Sequence, residues 1–130
     1  MNRITEISLL GKTYPLNYSV KAAQILGERF GGSTREVIQA IVREGEPVDA
    51  TAVTDNVLYI AEVLIKYGAL YRKHIDGVDC DTLTAEDMSD LLSKAEYLSL
   101  FSAILQAIAT SQGRMIEAEE DRKNAEATQD

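Results

Sequence analysis

Cysteine, histidine, tryptophan and positive charge are the scarce commodities of this 130-residue chain, which holds one Cys, one His and no Trp. Cys80 alone cannot close an intramolecular disulfide, and with only His74 beside it no four-ligand zinc site can be completed. A reducing compartment is the expected setting. Nucleophilic catalysis would have to use His74, which is separated from Cys80 by the Asp76-Gly77 break. The orienting group and oxyanion hole that such chemistry requires have no signature here, so the chain is read as non-enzymatic. Lys and Arg number 13 against 21 Asp and Glu, a net charge of −8. That balance opposes attraction to phosphate backbones, and nucleic acid is not an expected partner. The N-terminus MNRITEISLL lacks the apolar stretch of a secretory signal, so the cytoplasm is the expected location.

Two further chemistries fail on pattern. Asp76, Asp79 and Asp81, with Glu86 and Asp87 nearby, offer oxygens to a hard cation, but the D-x-[DN]-x-[DN]-G order of an EF-hand is missing. Helix capping and solvation account for them. Gly31-Gly32-Ser33-Thr34 precedes a helix start without a GxGxxG or GxxxxGK[ST] pattern, and reads as a helix stop. The tyrosines Tyr14, Tyr18, Tyr59, Tyr67, Tyr71 and Tyr97 have no interleaved basic residues and are read as core filling. No metal or cofactor is expected.

What is present points to one soluble, mainly α domain: 45% of residues are hydrophobic and 26% charged, average values for a globular fold. An N-terminal β-hairpin is expected over residues 3–17, followed by a bundle of four to five helices over the rest of a single domain ending near residue 116. Gly11 suits the first central position of a two-residue type II′ turn, which sets Leu10 opposite Thr13, Leu9 opposite Tyr14 and Ile7 opposite Leu16. Those apolar side chains share a face; Glu6, Ser8 and Pro15 fall on the other, and Pro15 marks an edge. Since an isolated hairpin is marginal in water, its apolar face must pack on something else.

Helical spacing follows. Asn17 or Ser19 caps a first helix with Val20, Ala23, Leu26 and Phe30 on its stripe, stopped by Gly31-Gly32. Ser33-Thr34-Arg35-Glu36 has the capping-box pattern and opens a short helix with Val37/Ile38 and Ile41/Val42, ended by Gly45 and Pro47. A long third helix starts near Thr51 or Thr54 and carries Val57, Ile60, Ala61, Leu64, Gly68 and Tyr71 on one stripe, with Glu62 and Lys66 as an outer pair. Thr84-Ala85-Glu86-Asp87 caps a fourth, in which a break or kink near Ser93 is favoured although periodicity leaves continuity open.

The last helix is unusual. Between Glu96 and Arg114 there is no charge, and apolar residues occupy two adjoining stripes, Leu98/Phe101/Leu105/Ile108 and Tyr97/Leu100/Ile104/Ala107. Ser99, Ser102, Gln106, Thr110, Ser111 and Gln112 interrupt it, whereas a membrane span needs about 20 predominantly apolar residues, so no membrane is expected. Either this is the domain's own central helix, or part of its face awaits a partner. Leu98, Leu100, Phe101, Ile104, Leu105 and Ile108 are the candidate partner-binding residues. Residues 117–130, with six acids and two bases, have nothing large to bury and are expected to form an acidic, fraying or disordered tail.

The order of parts, with Gly11-Lys12-Thr13-Tyr14-Pro15-Leu16-Asn17-Tyr18 closing a hairpin and Lys21-Ala22-Ala23 and Glu28-Arg29-Phe30-Gly31 in the next helix, resembles the tail assembly chaperones of long-tailed phages and prophages of Gram-positive bacteria. The resemblance is strongest over residues 4–32. It implies a non-enzymatic, cytoplasmic, self-associating protein that coats the apolar helical tape-measure protein and helps bring tail-tube subunits to it. It also implies a longer frameshifted form, for which Arg122-Lys123-Asn124 permits the slippery run A AAA AAC. No client-binding residue carries over by position. The competing reading from composition is a small acidic regulator, antitoxin-like or anti-repressor, that occupies a basic surface of a partner.

Overall fold

The computed structural model describes the backbone of residues 4–42 and 50–128, and the side chains of residues 4–42 and 51–112. It is mainly helical with an N-terminal hairpin, as expected. The hairpin is β1 (Thr5–Leu9) and β2 (Lys12–Leu16); the helices are α1 (Val20–Phe30), α2 (Thr34–Gln39), α3 (Ala50–Asp76), α4 (Ala85–Leu91) and α5 (Lys94–Thr128).

The hairpin register differs from the expected one. Ile7 faces Tyr14, Ser8 faces Thr13 and Leu9 faces Lys12, so the two turn residues are Leu10 and Gly11, at φ 54° and 77°. Two consecutive left-handed residues make a type I′ turn, whose twist matches that of the strands. The pairing therefore moves by two residues, an even step, and each side chain keeps its face. Ile7, Leu9, Tyr14 and Leu16 are all buried. Pairs in such a ladder alternate between hydrogen-bonded and not, starting with a bonded pair beside the turn. Glu6–Pro15 and Ser8–Thr13 are then the unbonded pairs, which is where a proline without an N–H belongs.

Pro15 is buried rather than turned to solvent, because α3 closes the outer edge of β2. A Cβ placed on Gly68 would fall 1.9 Å from the Pro15 carbonyl oxygen, so only glycine permits the approach. The Asn17 N–H continues the contact by donating to the Leu64 carbonyl at 3.1 Å.

Local chemistry sets the helix ends. Ser19 caps α1 by accepting from the Ala22 N–H, and Gly31 ends it at φ 118°. The buried stripe of α1 centres on Ala22 and Leu26, while Val20 at the first helical position is exposed, not on the stripe as its spacing suggested. Ser33 makes no side-chain cap to α2; its hydroxyl bonds the Glu36 carboxylate instead. α2 closes at Ala40, ahead of Gly45 and Pro47, which lie outside the described residues. Thr84 and Asp87 form a reciprocal capping box on α4. Glu62 does not form the expected outer pair with Lys66; it accepts from the Ala85 N–H at 2.9 Å and joins α3 to the start of α4.

The break expected near Ser93 is present, between α4 and α5. One core cluster draws side chains from the hairpin and from each of the helices, among them Leu9, Leu16, Leu26, Val37, Leu64, Met88 and Ile104. The tail expectation for residues 117–130 concerns side chains outside the described residues, although the α5 backbone is helical to Thr128.

Candidate functional site

α5 starts with a capping box. The Glu96 N–H donates to Ser93 Oγ at 3.1 Å and the Ser93 N–H donates to Glu96 Oε1 at 3.1 Å. The second carboxylate oxygen, Oε2, accepts from the Leu10 N–H at the hairpin tip, 2.8 Å away. These donors, with Leu10 first, hold the Glu96 carboxyl below its ordinary value, because hydrogen bonds favour the ionised form. One side chain thereby fixes both the entry of the charge-free helix and the position of the hairpin across it.

At its far end the described part of α5 is tied again: Ser111 Oγ donates to the Tyr18 carbonyl at 3.0 Å. Between these ties the six candidate residues separate. Leu100 and Ile104 are fully buried and Ile108 nearly so. Phe101 and Leu105 are half-buried against the core. Leu98 is 56% exposed. The expectation that Leu100 and Ile104 stand available to a partner is thus corrected: both face the hairpin and α3 side of the chain's own core. What α5 leaves outward is Leu98 with the edges of Phe101 and Leu105, a narrow apolar line at i, i+3 and i+7.

Beside that line lies a feature that residue patterns did not indicate. A shallow groove of about 590 Å³ runs between β1 and α5, lined by Glu6, Ile7, Ser8, Leu98, Ser99, Ser102, Ala103 and Gln106. Its helix wall carries no charge, and its other wall is β1. Only the fold, invisible in composition, brings β1 and α5 together to form it.

Carboxylates serve the fold nearby. Asp81 pairs with Lys12 at 2.7 Å, and each holds the other in its charged form. Arg72 bonds Asp76 at 2.9 Å and also bonds Glu6 on β1. His74 is exposed and Cys80 half-buried. Among the described residues no group of three or more His, Cys, Asp or Glu is arranged to hold a metal, and no helix is long and apolar enough to cross a membrane. Arg29 lies 4.5 Å over the Tyr59 ring, which also meets Phe30 edge-on, so Tyr59 packs α1 on α3. Comparison of the chain with protein-family models, with curated proteins and with solved structures finds no match.

Proposed function

We propose that this protein is a non-enzymatic assembly chaperone that holds an apolar helical client in solution, the tape-measure protein of a phage or prophage tail, and assists tail-tube assembly. The observation that carries the reading is the outward line of Leu98, Phe101 and Leu105 on a helix without charge between Glu96 and Arg114, in a chain of net charge −8. An apolar line binds an apolar helix; a strongly charged body keeps the complex dispersed. The order of hairpin, helices and acidic end supports the same reading by its resemblance to the tail assembly chaperones.

The competing reading, an acidic regulator, would act through carboxylates gathered on one face; four of the acids are engaged within the fold, Asp76 and Asp81 holding Arg72 and Lys12 and Asp87 and Glu96 capping helices. The test is co-expression with an insoluble tape-measure fragment. Transfer of that fragment to the soluble fraction supports the reading, and a fragment left in the pellet overturns it.

A further inference from the structure

Between α3 and α4 the chain runs as a strap, residues 77–84, with neither helix nor strand. Both of its ends are fixed. Arg72 bonds Asp76 at the root; at the other end the Ala85 N–H donates to Glu62 of α3 at 2.9 Å, and Thr84 and Asp87 cap α4. Gly77 turns the chain out of α3 at φ 67°, with open space where a Cβ would stand. Between these ends the strap is held lightly. Among the described residues no backbone–backbone hydrogen bond reaches Asp79, Cys80, Asp81, Thr82 or Leu83. Two side chains tie it down: Leu83, half-buried against the core, and Asp81, whose carboxylate meets Lys12 of β2 at 2.7 Å with the two side chains 67% and 61% exposed.

The end of the strap is also a wall. Thr82, Leu83 and Thr84 close one side of a cavity of about 370 Å³ whose other sides include Ile25 of α1 and Tyr59, Val63 and Tyr67 of α3. The three α3 residues stand at i, i+4 and i+8, a line along one helix face.

We propose that the strap is a salt-sensitive gate: it swings between its fixed ends at Gly77 and Thr84, the Lys12–Asp81 ion pair helps to hold it shut, and its release uncovers the line of Tyr59, Val63 and Tyr67. Burial of Leu83 makes the closed state the resting one, and that term is not screened by sodium chloride. The exposed ion pair adds a small increment, which fades as the screening length falls from about 30 Å at 0.01 M salt to about 3 Å at 1 M. Opening therefore varies by a modest factor with ionic strength instead of being locked at either extreme.

Cys80 sits in the middle of the strap, half-buried, and is the only thiol of the chain. Its alkylation by an uncharged maleimide reads the gate in the full chain, without a client, so the gate and the helix-binding function can fail separately. Rates are compared at fixed pH for the wild type, Lys12→Gln, Asp81→Asn and the double variant, in about 0.01 M and about 1 M sodium chloride. The wild type at low salt should label far more slowly than the urea-unfolded chain. Each single variant should label about two- to fivefold faster, and the double variant no faster than either, because one pair is lost in all three. Salt should speed the wild type by a similar factor relative to the variants, which carry the same thiol without the pair. Asp81→Asn leaves the hairpin untouched, so the comparison stands if Lys12→Gln perturbs it. Uncovering of the cavity is read by moving the thiol: in Cys80→Ser with Val63→Cys, a position 7% exposed, labelling should rise by the same factor on adding Asp81→Asn. Equal rates in the wild type and the single variants, single effects that multiply in the double variant, wild-type labelling as fast as in the unfolded chain, or a Val63→Cys thiol indifferent to Asp81→Asn overturns the proposal.

Discussion

The Leu10 N–H donates to Glu96 Oε2 at 2.8 Å, and this single contact joins the left-handed corner of the hairpin to the first turn of the charge-free helix. Leu10 is the one non-glycine residue with positive φ among the described residues, at 54°. A left-handed leucine is disfavoured by roughly 1 kcal/mol, so its partner on α5 helps to hold the turn.

The contact sets a pH dependence. Because the folded Glu96 carboxyl titrates below its ordinary value, its contribution is fully present above that ordinary value and disappears as pH falls through the folded one. Thermal melts of the wild type and Glu96→Gln should show the variant less stable near neutrality, with the gap closing in acid. A gap that stays constant down to pH ~3 would mean that the carboxylate charge is irrelevant to the contact.

Replacing Leu10 by Asn should stabilise the protein by about 0.5–1 kcal/mol, since asparagine tolerates the left-handed region that a type I′ turn demands. Urea unfolding measures this. Were the turn instead centred on Gly11 and Lys12, the same substitution in a strand would destabilise.

Gly68→Ala should cost roughly 1–3 kcal/mol or more, because its Cβ would meet the Pro15 carbonyl at 1.9 Å. Unfolding midpoints of the purified variant test the close packing of α3 on β2. An unchanged midpoint would show that the strand edge is not closed as described.

The hairpin face and the cap at Thr84 were legible from residues because each rests on local chemistry, alternation and a hydroxyl acceptor with an acid three positions on; the same pattern at Ser33 gave no cap, Ser19 was one of two candidates with Asn17, and the break near Ser93 was favoured although periodicity left it open. The turn register was not, since nothing in leucine's preferences announces a left-handed conformation; a carboxylate distant in the chain supports it. Gly68 read as one member of a stripe, whereas its role is set by a strand brought against it. On α5 the two apolar stripes were visible but their sides were not, because burial depends on where the hairpin and α3 lie. Leu100 and Ile104 turned inward, Leu98 outward, and the groove between β1 and α5 required the fold to be seen.

That division has a direct consequence for variants. Ile104→Glu, which buries a charge without a partner, should abolish folding or cost several kcal/mol. Leu98→Glu, at a position 56% exposed, should change stability by no more than about 0.5 kcal/mol. Circular dichroism melts of the two separate core from surface on the same helix.

The most direct measurement of the helix-binding account is the amount of tape-measure fragment recovered in the soluble fraction on co-expression with the wild type, Leu98→Glu or Ala109→Glu at matched levels. Leu98 heads the outward apolar line, and Ala109, exposed one turn beyond Leu105 on the same side of α5, continues it, so both variants should fold while losing most of the soluble client that the wild type retains. Folded variants that keep the client as soluble as the wild type does, or a wild type that leaves it in the pellet, would contradict the account.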